Sequence, residues 1–157
     1  MINNSIIAVL VGAVIVTGAV MAGGLKGEEN TIAQNGVLVM LHKSPSCGCC
    51  GQYGNYLSQK GYTVEVQQTA NMTSVKEDFG VPYELESCHT SEIGDYIVEG
   101  HVPEEAIDKL LTERPDIKGI GMAGMPSGSP GMPGPKETFE IYTITHEGTK
   151  GELFMTL

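Results

Sequence analysis

The segment that most constrains this chain is Cys47-Gly48-Cys49-Cys50, which holds three of the four cysteines. Adjacent Cys49 and Cys50 are poorly placed to join distant loops, and Cys47 with Cys50 closes only a small ring. Rings of that spacing are typical of exchangeable disulfides rather than structural ones. The segment therefore indicates a soft-metal site or a thiol-exchange site, and it disfavours a framework of two structural disulfides.

The first 35 residues divide into an apolar segment and a polar linker. Residues 5–25 carry no charge, which predicts a signal peptide or a single membrane anchor. Residues 26–35 are polar and charged, and we expect them to link this segment to a folded domain over residues 36–157. We expect that domain to be exported, in the periplasm or another extracytoplasmic space, with membrane contact only through residues 5–25. The first basic residue is Lys26, so the positive-inside tendency leaves the sidedness open.

Hydrophobic periodicity after residue 36 predicts alternating strands and helices. The predicted strands occupy residues 37–42, 62–67, 95–99, 138–145 and 151–156. The predicted helices occupy residues 49–60, 71–79 and 103–113, with a turn or helical turn at 83–86. Residues 95–99 are expected to turn at Gly100 and to pair with 101–102, and residues 117–135 form a Gly/Met/Pro-rich loop. This order predicts an α/β, thioredoxin-like fold to which that loop and a C-terminal β-hairpin are added.

The fourth cysteine, Cys88, is far from the others in sequence but is expected beside them in space. In a thioredoxin-like arrangement, the first strand delivers a cysteine pair to the N-terminus of the next helix. The helix dipole and the free N–H groups there favour the thiolate. The segment before the third core strand faces the same place, and here that segment is residues 87–90.

Three thiols in one turn, with a fourth opposite, favour metal binding over dithiol chemistry alone. A thiol–disulfide oxidoreductase needs one attacking and one resolving thiol, here Cys47 and Cys50, and a third invites scrambling. Cu(I) prefers thiolate and thioether sulfur, and this chain supplies both, whereas one zinc ion requires four tetrahedral ligands. Copper is the favoured ion. A dithiol oxidoreductase is the alternative function, and zinc is a further alternative metal.

Other side chains are candidates to complete the site. His89 follows Cys88 and is a candidate ligand or hydrogen-bond donor to a thiolate. Met125 and Met132 lie in a loop with little core to fill, so we consider them as groups that cap or line the metal site. The remaining histidines fall outside the predicted cluster and are not assigned to it: His42, His101 and His146. The net charge of −10 argues against nucleic acid as a partner, because phosphate binding needs clustered basic residues.

Five motifs in order resemble the CopG family of small exported copper-resistance proteins. They are KSPSCGCC at 43–50, GVP at 80–82, LESCHT at 85–90, YIVEGHVP at 96–103 and GMPSGSPGM at 124–132. The resemblance implies a thioredoxin-like fold and a multinuclear Cu(I) cluster bridged by cysteines, here Cys47, Cys49, Cys50 and Cys88. It also implies copper resistance in the cell envelope, with copper-export or redox proteins as partners and with a change of copper oxidation state proposed. A copper chaperone that docks through the methionine loop is a further interpretation.

Overall fold

The computed structural model describes residues 36–157. The predicted apolar segment 5–25 and the linker 26–35 lie outside the described residues. Within residues 36–157, no helix is long and apolar enough to cross a membrane.

The described residues form one seven-stranded mixed sheet and three α-helices. The strands are β1 (Leu38–Lys43), β2 (Thr63–Gln68), β3 (His89–Ile93), β4 (Tyr96–Glu99), β5 (Gly119–Gly121), β6 (Glu140–Ile144) and β7 (Lys150–Thr156). Their order across the sheet is β2-β1-β3-β4-β5-β6-β7. The β1–β2 and β4–β5 pairs are parallel, and the other neighbours are antiparallel. This confirms the α/β class, and the predicted C-terminal hairpin is β6–β7.

Three α-helices connect the strands: α1 (Gly48–Gln59), α2 (Met72–Phe79) and α3 (Glu104–Glu113). A 3-10 turn follows α2 at Tyr83–Leu85. Helix α1 buries Tyr53 and Leu57, and α3 buries Ile107 and Leu110, in one core with inward residues of β1 and β4. Asn71 caps α2 by accepting a hydrogen bond from the backbone N–H of Ser74 (3.2 Å).

Three local predictions are wrong. The hairpin that contains residues 95–99 turns at Gly94, where φ is +61°, and pairs β4 with β3 rather than with residues 101–102. The segment Gly119–Gly121 was assigned to the loop but forms β5, because its backbone fills the position between β4 and β6. The alternation of residues in the predicted strand 62–67 indicates that Val64 and Val66 point inward, yet 48% of the surface of Val66 is exposed because β2 is an edge strand.

Candidate metal centre

The cysteine segment occupies the connection between β1 and the start of α1. Pro45 cannot continue the strand ladder, and a turn closes where the N–H of Cys47 donates to the carbonyl oxygen of Ser44 (3.0 Å). Cys47 is the N-cap of α1, and its sulfur accepts a hydrogen bond from the N–H of Cys50 (3.3 Å). Cys49 and Cys50 therefore lie in the first turn of α1, where the helix dipole favours negative charge.

Sheet register brings Cys88 to the same place. The first residue of β3, His89, lies opposite Lys43, the last residue of β1. Cys88 directly precedes β3, so its side chain meets the start of α1. Its sulfur lies 3.8 Å from that of Cys49 and 3.5 Å from that of Cys50. One sulfur from each of the four cysteines lies within 4.8 Å of the other three, so the expected convergence is present.

The four sulfurs are present in two redox states. Cys47 and Cys50 are joined by a disulfide, whereas Cys49 and Cys88 are free thiols. The sulfur of Cys49 lies 3.5 Å from that of Cys47. Cys50 is fully buried, and the other three cysteines are partly exposed. The pairing matches the spacing that the sequence identified as exchangeable.

Burial, and after it the neighbouring Cys49, raise the pKa of the Cys88 thiol to about 12. In the metal-free chain at neutral pH, Cys88 is therefore protonated. A bound cation reverses this preference, since metals bind the thiolate. Metal binding at Cys88 must release a proton.

His101 also reaches the site, although the sequence interpretation left it out. Its Nε2 lies 3.1 Å from the sulfur of Cys88, and its Nδ1 lies 2.7 Å from the carbonyl oxygen of Pro130. Thr90 of β3 lies opposite Glu99 of β4, and the two strands are antiparallel. Cys88, two residues before Thr90, and His101, two residues after Glu99, therefore lie at the same end of this strand pair. A correct prediction of the hairpin turn would have identified this residue.

His89 lies beneath Cys88 in the core. The ring is fully buried, its Nδ1 lies 3.7 Å from the Cys88 sulfur, and its Nε2 has no hydrogen-bond partner among the described residues. Tyr53 packs against both histidine rings, with centroids 4.5 Å from His89 and 5.5 Å from His101. Burial lowers the pKa of His89 well below its ordinary value, with His101 and Lys76 acting in the same direction. Burial also lowers the pKa of His101, so both rings are neutral near pH 7.

The methionines of the loop have three different environments. Met122 is buried in the core. Met125 is 52% exposed and lines an open cavity of about 570 Å³ together with Cys88, Ser87 and Tyr83. Met132 is partly buried, and its backbone N–H donates to the carbonyl oxygen of Ser129 (2.8 Å). Met125 therefore shares a cavity with Cys88.

The other two histidines that the sequence left unassigned pair elsewhere. His42 Nε2 lies 2.8 Å from Glu92 Oε1, and His146 Nε2 lies 2.9 Å from Asp116 Oδ1. Neither belongs to a group of candidate metal ligands within residues 36–157.

A buried ion pair holds the backbone on either side of Cys88 and His89. Lys76 of α2 pairs with Glu99 at the end of β4, and both side chains are almost fully buried. Glu99 also accepts hydrogen bonds from the N–H of Ser87 and the hydroxyl of Thr90, each at 2.6 Å. These two donors flank Cys88 and His89, so the carboxylate fixes the backbone that presents the fourth thiol.

Comparison with known proteins finds a family and two solved structures that resemble this chain. The family described as "Protein of unknown function, DUF411" matches residues 85–132, which include Cys88, His89 and His101. No curated protein matches the chain. A solved structure of "Copper resistance protein copG- Form 1" is 36% identical, with a TM-score of 0.71, and the match covers 77% of this chain and 97% of that one. The Form 2 structure is 35% identical, with a TM-score of 0.72, over 78% and 99%.

The chain belongs to the CopG copper-resistance family. The match extends over almost the whole of both solved chains at more than a third identity. The family predicted from five sequence motifs is therefore confirmed. A copper-related function follows for a chain whose cysteines converge as they do here.

Proposed function

We propose that this protein binds Cu(I) through the thiolates of Cys47, Cys49, Cys50 and Cys88 as a multinuclear cluster, in the service of copper resistance. The observation that carries the proposal is the convergence of four sulfurs within 4.8 Å. Two sulfurs that share a metal at about 2.3 Å each lie no more than about 4.6 Å apart. The sulfur of Cys49 lies within this limit of the sulfurs of Cys47 (3.5 Å) and Cys88 (3.8 Å). The sulfurs of Cys50 and Cys88, 3.5 Å apart, also do.

Ligand chemistry selects the ion. Sulfur spacing of this size fits one zinc ion or several Cu(I) ions, so the spacing alone does not choose between them. Thiolate sulfur favours Cu(I), and the solved relatives are named as copper-resistance proteins. Four Cu(I) ions with four thiolates carry no net charge, which suits a site with one fully buried cysteine.

The proposal extends to the fold around the site, the location of the domain and its partners. We infer that strands β1 to β4 with α1 to α3 form a thioredoxin-like core, because their order places a Cys-x-x-Cys pair at the start of the first helix. Residues 5–25 would direct the domain out of the cytoplasm, as a cleaved signal or as an anchor. Copper-export or redox proteins of the envelope would exchange copper with it. His89, Met125 and Met132 are further candidates for the copper environment.

Anaerobic titration of the reduced full chain with Cu(I), followed by metal analysis, tests the cluster. We expect more than one copper per chain, and we expect Cys88→Ser to lower that number. His146→Phe is the control, because His146 lies on the surface and contacts Asp116 rather than the site. Uptake of one ion or fewer, or a number unaffected by Cys88→Ser, would show that the cluster does not form.

A specific observation favours a second candidate function, thiol–disulfide exchange. Cys47 and Cys50 are joined in a disulfide whose Cys47 end is partly exposed. Under this alternative, Cys49 and Cys88 are dispensable. Reduction of insulin by the Cys49→Ser variant separates the two functions. Full activity supports the oxidoreductase, and no activity in either variant or parent excludes it.

A further inference from the structure

A second group of candidate ligands lies on the other side of Cys88. The sulfur of Cys88 and one ring nitrogen each of His89 and His101 lie within 4.8 Å of one another. Within residues 36–157, Cys88 belongs both to this group and to the group of four cysteines. We propose that Cys88, His89 and His101 form a mixed sulfur–nitrogen site for one Cu(I) ion, which the chain retains when Cys47 and Cys50 form their disulfide. This inference rests on the proposed copper function and extends it.

His101 is already oriented as a ligand. Its Nδ1–H donates to the carbonyl oxygen of Pro130 (2.7 Å), which leaves the lone pair of Nε2 directed at the sulfur of Cys88, 3.1 Å away. Metal-binding histidines commonly fix their tautomer with a second-nitrogen hydrogen bond of this kind. The Gly/Met/Pro loop therefore contributes to the site through a backbone carbonyl, in addition to any contribution from its methionines.

The position of Pro130 is itself fixed by close packing. The next residue, Gly131, has a φ of +82°, and a Cβ on it would lie 2.8 Å from the backbone nitrogen of Tyr53. The loop therefore touches the backbone of α1 at a point where a side chain does not fit. This contact holds the carbonyl of Pro130 against His101 without a metal present.

His89 contributes a buried ring to the same group. It is fully buried, yet its Nε2 has no partner among the described residues. Burial of a polar ring nitrogen without a hydrogen bond costs stability, so such atoms are rare in folded proteins. In the proposed site the metal would bind Nδ1, which lies 3.7 Å from the sulfur of Cys88. The proton of the neutral ring would then stay on the buried Nε2, so the metal does not remove this cost.

The two sulfur–nitrogen distances fit a three-coordinate ion after a small adjustment. With bonds of about 2.3 Å to sulfur and about 2.0 Å to nitrogen, trigonal geometry separates the two atoms by about 3.7 Å. Cys88 Sγ already lies 3.7 Å from His89 Nδ1. The distance from Cys88 Sγ to His101 Nε2 is 3.1 Å, and it must lengthen by roughly 0.6 Å. Rotation of the partly exposed Cys88 side chain supplies that change.

The disulfide removes ligands from one site and leaves the other intact. Metals bind thiolates, so Cys47 and Cys50 are lost as ligands when they are joined. Cys88 remains a free thiol, and imidazole groups are unaffected by disulfide formation. The oxidised chain would then hold one copper ion where the reduced chain holds several.

Silver provides the test, because Ag(I) resembles Cu(I), is diamagnetic and needs no reductant that would break the disulfide. The protein is the full chain with Cys49→Ser and the disulfide intact, so that Cys88 is its single thiol. We expect one Ag(I) per chain and a change in the ¹⁵N resonances of His89 and His101. Adding His101→Phe should weaken Ag(I) binding roughly 10–100-fold, the loss that removal of an orienting partner alone can cause. The control variant is His146→Phe.

The outcomes distinguish the mixed site from the cysteine cluster. Unchanged histidine resonances on Ag(I) addition, or equal affinity with and without His101→Phe, would overturn the mixed site even if the reduced chain binds several Cu(I) ions. Conversely, a histidine response to Ag(I) in a chain whose reduced form takes no more than one Cu(I) would support the mixed site and overturn the cluster. The urea-unfolding midpoint of the His101→Phe chain, measured alongside, shows whether that variant is folded.

Discussion

The buried pair of Lys76 and Glu99 permits a quantitative test of how Cys88 is held. We consider Lys76→Met, which keeps much of the side-chain volume and removes the charge. Glu99 would retain two donors, Ser87 and Thr90, but would lose its cationic partner. Removal of one member of a buried ion pair costs about 3–5 kcal/mol, because the other charge stays buried without compensation. We expect a loss of this size in the free energy of unfolding at pH 8.

The loss should depend on pH in a defined direction. Burial raises the pKa of Glu99 above its ordinary value of 4.5, although Lys76 acts in the opposite direction. Without Lys76 the folded-state pKa rises further. A carboxyl group whose folded pKa exceeds its unfolded pKa destabilises the protein above the folded pKa, and this penalty disappears as the pH falls through it. The Lys76→Met deficit should therefore be largest at pH 8 and shrink on acidification toward 4.5.

Urea unfolding of the metal-free, reduced full chain at several pH values measures this effect. Lys60→Met is the matched control, because Lys60 is 41% exposed in its pair with Glu104, and such pairs contribute about 0–1 kcal/mol. Lys76→Met combined with Glu99→Leu should recover much of the loss, since no buried charge remains. If Lys76→Met costs no more than Lys60→Met, or if its cost is the same at every pH, the ion pair does not hold this segment.

Three further predictions follow from the site. Because Cys88 is protonated at neutral pH, with a pKa raised to about 12, apparent Cu(I) affinity should rise about tenfold per pH unit for each proton displaced, and a competition titration that is flat between pH 6 and 8 would contradict this. Gly131→Ala should push the loop off α1 and speed copper release, whereas Gly124→Ala, also at positive φ but with open space around it, should not; equal release rates would refute the packing argument. Tyr53→Phe removes the buried hydrogen bond to the carbonyl oxygen of Val102 and should cost about 1 kcal/mol in urea unfolding, and an unchanged midpoint would contradict that value.

The cysteine site could be predicted because its main parts are local in sequence. Cys47, Cys49 and Cys50 follow a buried strand and begin a helix, and both signals lie within a dozen residues. Cys88 could be added because the order of elements defines which segment faces the helix start. These inferences needed the topology of the sheet but not the register of its strands.

His101 could not be placed without that register. Gly100 has a φ of +82°, and such a glycine is a natural candidate for a hairpin turn. It instead bends the chain after β4, and a Cβ there would lie 2.6 Å from the carbonyl oxygen of Met122. The actual turn, at Gly94, has equally ordinary turn chemistry, so local signals did not choose between the two positions. That choice determines which residue lies opposite Cys88.

The strand Gly119–Gly121 was missed for a different reason. Glycine has low strand propensity, so a Gly-Ile-Gly segment is typical of a loop. A Cβ on Gly119 would lie 1.9 Å from the carbonyl oxygen of Ile97, so the close approach of β4 requires glycine there. The requirement comes from a neighbour more than twenty residues away, and no property of the segment itself encodes it.

The disulfide and the proposed copper cluster compete for the same two sulfurs. Cys47 and Cys50 cannot be joined to each other and act as thiolate ligands at the same time. Cys50 is fully buried and Cys47 is partly exposed, so an external thiolate would attack the disulfide at Cys47, form a mixed disulfide there and leave Cys50 as the departing thiolate. A second external thiol must then attack the mixed disulfide to release Cys47 as a thiolate. The Cys50 thiolate is released 3.5 Å from the sulfur of Cys88, where Cu(I) would bind. Under the proposed function, reduction must therefore precede full loading, because the joined sulfurs cannot act as thiolate ligands, and the exposure of Cys47 determines which of the two sulfurs is attacked first.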